Sequence, residues 1–213
     1  MGKPKVRTPR RGRAPRKLVC LETYWSDHGA RAFHNTSVQP FFAGLATQLD
    51  PPLRIAHRFV ESPAQLAAYT RHGGLLWSDP EVFDAPVYYL SFHGAPGTVL
   101  TALARLGPAR LCGAFKAWGA GYDNLVHFAA CSVLAGTGGR RFARQFLEQS
   151  GCKAILGYTT DVDWMESMLT DLLFLRRFYG DVDPWRNLRA IHESVLVDFA
   201  PAHRLGFTVH TRD

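Results

Sequence analysis

The feature that most constrains this chain is an alternation, sustained from Lys17 to the last few residues, of short β-rich apolar runs with longer stretches of helical periodicity. Such an order is the signature of a mostly parallel sheet with helices on both faces. "KLVCLETY" reads as the first strand, "LRIAHRFV" as the second, "VYYLSF" as the third, "NLVHFAA" as the fourth and "KAILGYT" as the fifth, with "FTVHT" a last, edge strand. The helices carry their own punctuation. "SVQPFFAGLATQL" has Ser37 as a cap and Pro40 in its first turn, and "SPAQLAAYTR" has Ser62 as cap and Pro63 at its first position. "GRRFARQFLEQSG" is stopped by Gly151. An amphipathic helix follows from about Trp164 to Tyr179, on which Leu169, Leu172, Leu173 and Phe174 read as the face against the core. Pro184 is expected to open a further helix through "WRNLRAIHESVLVDF". Between Thr98 and Asn124 the signal is ambiguous: "TVLTALARL" fits a strand or a helix, and "ARLCGAFKAW" prefers a helix with Gly119 and Gly121 at its exit.

At 213 residues, with no internal repeat, the chain is expected to form a single α/β domain over residues 18–213. Its formal charge of +7 is local. Residues 1–17 hold eight of the 25 Lys and Arg and no acid, which leaves 17 bases against 18 acids in the remainder. That basic arm, with three prolines and almost nothing apolar, cannot bury enough surface to order itself. Residues 1–17 are therefore expected to be disordered, residues 3–17 making at most weak, non-specific contact with nucleic acid or anionic surfaces. The arm lacks the apolar centre of a secretory signal, and no apolar run approaches the ~20 residues of a membrane span. The four cysteines, Cys20, Cys112, Cys131 and Cys152, are scattered with no CxxC pair, which suits reduced thiols in a cytoplasm better than a disulfide framework or a zinc site.

Two strand ends carry the chemistry. "YYLSFHG" and "LVHFAACS" close on His93 and Cys131, and in an open α/β sheet ligands gather at the carboxyl ends of parallel strands. If the two strands are parallel neighbours, an imidazole and a thiol meet at one edge. The imidazole can then take the thiol proton to give a thiolate nucleophile. Gly94 leaves room for a carbonyl and offers an N–H, together with that of Cys131, to a developing oxyanion. Cys20, Cys112 and Cys152 have no such partners and read as core residues, as does His127 within the fourth strand.

These residues carry a resemblance. "SFHG", followed by "AACS" with Cys131 standing 38 residues after His93, resembles the His-Gly and Ala-Cys pair of caspase-like (clan CD) cysteine peptidases. The continuation "SVLAGTGGRRFARQFLEQSGCKAILGYTTDVDWMESML" is similar to that of the bacterial CHAT domains. The resemblance implies a three-layer caspase-like sandwich and a Cys-His dyad, Cys131 as nucleophile and His93 as general acid/base, acting on a protein or peptide substrate with no metal or organic cofactor.

Asp161 and Asp163, after the fifth strand, either line a pocket that prefers Arg or Lys before the cleaved bond, or form a turn and a helix cap. Glu22 and Trp25, at the exit of the first strand, are further pocket candidates. "GTGG" lacks the Lys-Ser/Thr of a P-loop, and "HESVL" lacks the second histidine of a zinc-peptidase helix. Two readings of function result: a cysteine endopeptidase-like hydrolase, or a non-catalytic interaction or signalling module of the same fold, recruited by its basic arm. A peptidase in a cytoplasm needs restraint, and a regulatory protein partner is the expected source of it.

Overall fold

The computed structural model describes residues 15–23, 37–70, 74–76, 78–82, 84–115 and 124–212. The expected alternation is present: β1 (Lys17–Glu22), α1 (Gln39–Thr47), β2 (Arg54–Phe59), α2 (Pro63–Thr70) and β3 (Val87–Ser91) lead into the centre of the chain. After it come β7 (Leu125–Ala129), α4 (Gly136–Ser150), β8 (Ala154–Tyr158), α5 (Trp164–Gly180), α6 (Leu188–Asp198), α7 (Ala200–Arg204) and β9 (Phe207–Thr211). The six-stranded sheet has the order β2-β1-β3-β7-β8-β9, all neighbours parallel except β9, which pairs antiparallel with β8 at the edge.

Strand alternation divides the sheet into two apolar faces. Val19, Leu21, Tyr88, Leu90, Val126 and Phe128 meet the α2 and α4 layer, where Phe142 and Phe146 stack and Phe128 stands edge-on to both. Leu18, Cys20, Val87, Tyr89, Leu125 and Leu156 meet α1, α5, α6 and α7. β3 and β7 are buried at every position, as strands covered on both sides must be. The result is the expected three-layer α/β sandwich.

Between β3 and β7 the ambiguous segment resolves into a small antiparallel sheet, β4 (His93–Ala95), β5 (Thr98–Thr101) and β6 (Ala104–Leu106), followed by α3 (Pro108–Phe115). The turn from β5 to β6 is locked locally, because Thr101 Oγ1 accepts from the Ala104 N–H at 3.1 Å. Gly119 and Gly121 lie outside the described residues.

Several boundaries differ from expectation for identifiable reasons. Ser62 caps α2 as expected, accepting from the Gln65 N–H at 3.2 Å. Ser37 stands one residue before the cap of α1 at Val38; its hydroxyl accepts from the Gln39 N–H and donates to Glu22 at 2.8 Å. Gly151 ends α4 in the left-handed conformation at φ 75°, where a side chain would be strained. Pro184 sits in a turn and α6 starts only at Leu188, since Asp181 holds the Asp183 N–H and the Asn187 amide in a non-helical loop. On α5 the expected core face holds for Leu172, Leu173 and Phe174, which pack against the core, and fails at Leu169. Leu169 is 45% exposed, whereas Met168, Asp171, Phe174, Leu175 and Phe178 are buried. Of the basic arm, residues 1–14 lie outside the described residues; Arg16 bonds the Pro51 carbonyl and Lys17, in β1, pairs with Asp84 at 2.6 Å. Among the described residues no helix is long and apolar enough to cross a membrane.

Candidate active site

The pairing of β3 with β7 decides where the two chemically useful residues stand. Ser91 is opposite Ala129 in a parallel register, so His93 and Cys131 each follow two residues beyond the same rung. Neither lies in its strand proper. His93 opens β4, and Cys131 occupies the turn that leads from β7 toward α4. Both line one cavity of about 250 Å³ at the carboxyl edge of the sheet, together with Val38, Tyr89, Ser91, Ala129, Val162, Trp164, Ser167 and Met168. Sheet order places it beside the switch point, where β2 follows β1 to one side and β3 onward run to the other.

The turn bearing Cys131 is braced from three directions. Ser132 takes φ 50°, a left-handed value that a non-glycine residue seldom adopts, and its N–H donates to Thr160 O at 2.8 Å. Its hydroxyl donates to Asp161 Oδ1. Asp161 thus reaches the site through Ser132, a link that the adjacent "CS" in the sequence offers no means of finding. From the third side comes Gly94: a Cβ there would lie 2.3 Å from the Cys131 carbonyl oxygen and 2.6 Å from Val133 Cγ2. The β4–β5 hairpin can therefore press its backbone onto the turn only because residue 94 has no side chain. The Gly97 N–H completes the clamp by donating to Val133 O at 2.9 Å.

Cys131 also differs from the other thiols. Cys20, Cys112 and Cys152 are buried, as expected of core residues, while Cys131 is half-buried. Burial pushes the Cys112 thiol up to about 12 and Cys152 to about 11. It raises Cys20 well above its ordinary value, with the Glu22 carboxylate adding to the shift. None of these three can supply a thiolate near neutral pH.

The remaining pocket candidates separate. Asp163 caps α5, accepting from the Glu166 N–H at 2.9 Å. Glu22 is wholly buried: its carboxylate takes the Ser37 hydroxyl, the Val38 N–H at 3.1 Å and a contact from His57 Nε2 at 2.7 Å. It holds Val38, and hence one wall of the cavity, without lining the cavity itself. Trp25 lies outside the described residues. The acid nearest the floor of the pocket is one that sequence reasoning missed. Asp171, with no exposure, accepts hydrogen bonds from Tyr89 and Tyr158 and lies 3.0 Å from His127 Nε2. Burial first, and the Asp171 charge second, push both tyrosines well above their ordinary range, so they remain protonated donors. His127 is packed in the core, as expected. Among the described residues no group of three or more His, Cys, Asp or Glu side chains is placed to hold a metal ion.

The comparisons with known proteins define a fold. No family model matches the sequence, and no curated protein matches it either. Solved structures do match. A secreted C11 cysteine protease from Bacteroides thetaiotaomicron, determined with an irreversible peptide inhibitor, superimposes with a TM-score of 0.57 at 10% identity, covering 86% of this chain and 59% of that one. Caspase-1 from Spodoptera frugiperda superimposes with a TM-score of 0.53 at 12% identity, covering 95% of this chain and 88% of that one. The chain thus spans somewhat over half the length of the first structure and most of the second. It has the caspase-like fold that cysteine peptidases of clan CD share.

Proposed function

We propose that this chain is a cysteine endopeptidase-like hydrolase, related to CHAT-type domains, in which Cys131 attacks a peptide carbonyl and His93 moves the protons. The observation that carries this reading is one cavity lined by both residues, each two residues beyond the last paired rung of neighbouring parallel strands in a caspase-like sheet. His93 takes the Cys131 proton, and the thiolate adds to the carbonyl carbon. The backbone N–H groups of Gly94 and Cys131 receive the negative charge that develops on the carbonyl oxygen. The tetrahedral adduct collapses as imidazolium gives its proton to the departing amine, leaving a thioester on Cys131. Water, deprotonated by His93, then hydrolyses that thioester and restores the thiol. In this scheme the clamp of Gly94 against the Cys131 turn serves to hold two N–H groups and the nucleophile in one fixed frame.

The test is the rate at which iodoacetamide alkylates Cys131 in the full chain near neutral pH, resolved by peptide mass, with and without His93→Ala. A dyad predicts fast modification of Cys131 that falls by about 10²-fold or more in the variant, in line with the weight of a general base. It also predicts cleavage of an unfolded protein substrate that Cys131→Ala abolishes. Modification of Cys131 that is slow and indifferent to His93, with no cleavage, supports the non-catalytic module instead.

A further inference from the structure

We infer that the cavity beside Cys131 selects an uncharged, apolar side chain of the Leu, Met or Phe class on the acyl side of the scissile bond. This inference rests on the hydrolase reading above and names its substrate class. At about 250 Å³ the cavity is smaller than the ~300–1,000 Å³ typical of whole-ligand sites, which suits one side chain. Val38, Tyr89, Ala129, Val162, Trp164 and Met168 make up most of its wall.

Among the described residues that line it, none bears a carboxylate, guanidinium or ammonium group; its polar members are the His93 imidazole and two serines, besides the hydroxyl of Tyr89 and the indole N–H of Trp164. The acids that could have served a basic side chain are otherwise engaged. Asp163 caps α5, Glu22 is buried against Ser37, Val38 and His57, and Asp161 receives the Ser132 hydroxyl. Asp171, behind the floor, is closed off by the two tyrosine hydroxyls it accepts. A charged side chain entering here would give up its hydration with no opposite charge to meet it.

A second observation points to a bound chain. Ser91, 1% exposed, lines the cavity, and its hydroxyl has no hydrogen-bond partner among the described residues; the buried Trp164 Nε1 is in the same condition. A buried donor without a partner is destabilising unless a ligand group meets it. The carbonyls of an extended peptide, or the thioether of Met, supply neutral acceptors for both without bringing a charge into the apolar wall.

The experiment uses peptidyl acyloxymethyl ketones identical except for Leu, Phe, Arg, Lys or Asp next to the ketone. The Cys131 thiolate displaces the carboxylate leaving group to form a thioether, read as a second-order rate by peptide mass on the full chain. Leu and Phe probes are expected to label Cys131 at least about tenfold faster than the Arg, Lys and Asp probes. Val162→Asp, at a half-buried position in the loop before α5, is expected to shift the ratio at least about tenfold toward Arg. Equal rates across the series, or an advantage for a charged probe in the unaltered chain, overturns the inference, as does a Val162→Asp chain whose ratio does not move. Iodoacetamide separates the two failures. If alkylation of Cys131 depends on His93 while the peptides show no apolar preference, the hydrolase reading stands and the pocket assignment falls. If His93 does not matter and no peptide labels Cys131, both fall.

Discussion

The two faces of the central sheet are built from the same strands and solve different problems. On the side of α2 and α4 the core is apolar and aromatic, with Phe128 edge-on to Phe142 and Phe146 and two thiols, Cys112 and Cys152, locked as neutral groups. On the side of α1 and α5 the same strands carry buried Glu22, His127 and Asp171, and this face opens at its carboxyl edge into the cavity that holds Cys131 and His93. The difference teaches where rigidity is obtained. One face is stiff through close packing, the other through hydrogen bonds such as those that Asp171 takes from Tyr89 and Tyr158 and that Glu22 takes from Ser37 and Val38. The buried Ser91 hydroxyl and Trp164 indole N–H beside the cavity are left unmatched among the described residues, and only the second kind of face can surround an opening with oriented polar groups.

The comparison breaks most severely at its two centres. Phe146→Ala is expected to cost about 3–5 kcal/mol by creating a cavity in the aromatic layer. Asp171→Ala is expected to cost about 1–3 kcal/mol, chiefly by stranding the Tyr89 hydroxyl, since Tyr158 keeps the Ser167 carbonyl as acceptor at 3.0 Å. Urea unfolding measures both. Should Asp171→Ala prove neutral, the polar face would owe its rigidity to packing after all, and the contrast would disappear.

Gly94→Ala sharpens the contrast at the point where the small sheet meets the site. Its Cβ would collide with the Cys131 carbonyl, so the hairpin or the turn must shift. The expected outcome is about 1–3 kcal/mol of destabilisation, as in other overpacked sites, with a disproportionate fall in the alkylation rate of Cys131. Unchanged reactivity would show that the clamp is not what positions the nucleophile.

The buried thiols of the apolar face have a pH signature. Their folded-state values are raised, to about 11 for Cys152 and about 12 for Cys112, from an ordinary 9.0. The unfolded chain therefore loses its thiol protons first, and the stability these groups contribute is complete below pH 9 and declines as pH rises from there toward 11 or 12. A Cys112→Ala, Cys152→Ala chain should lose less stability than the parent over that range in thermal unfolding. The other face has an acid counterpart. Burial lowers the folded-state value of His192 from 6.5, so the unfolded chain binds the proton more readily and stability falls as pH drops below 6.5. His192→Gln should flatten that acid limb.

The smallest effect belongs to a helix end. Asp163→Ala removes the cap of α5, and about 1 kcal/mol of stability is expected to go with it, read as a modest fall in Tm.

What was legible from residues alone follows from their local nature. Apolar runs broken by helical periodicity sufficed for a parallel sheet with two covering layers, because strand and helix periods act over a few residues. Ser62 declared a helix start through a side chain that bonds the backbone beside it and Gly151 a helix end through its freedom at positive φ, while Asp163 offered the cap as one of two readings. The "SFHG" and "AACS" strand ends named His93 and Cys131, and the parallel pairing of β3 with β7 is what makes that juxtaposition real.

Other features depend on partners distant in the chain. Asp171 reads as one more polar position on a helix, and only packing against Tyr89, 82 residues away, turns it into the acceptor beneath the cavity. Asp161 could be read as pocket or as turn from the sequence, and only the fold shows that it accepts the Ser132 hydroxyl. Of the stripe on α5, Leu172, Leu173 and Phe174 face the core as expected and Leu169 does not, because helical spacing does not say where the buried arc ends; the neighbours on the sheet decided that. By itself the sequence determined the order of elements, the layered class and the two strand ends at which His93 and Cys131 stand, each written in short-range pattern. Tertiary structure alone decided which carboxylates are occupied, which thiol is reachable and which side chains line the cavity, since burial and pairing are properties of surfaces brought together by the fold.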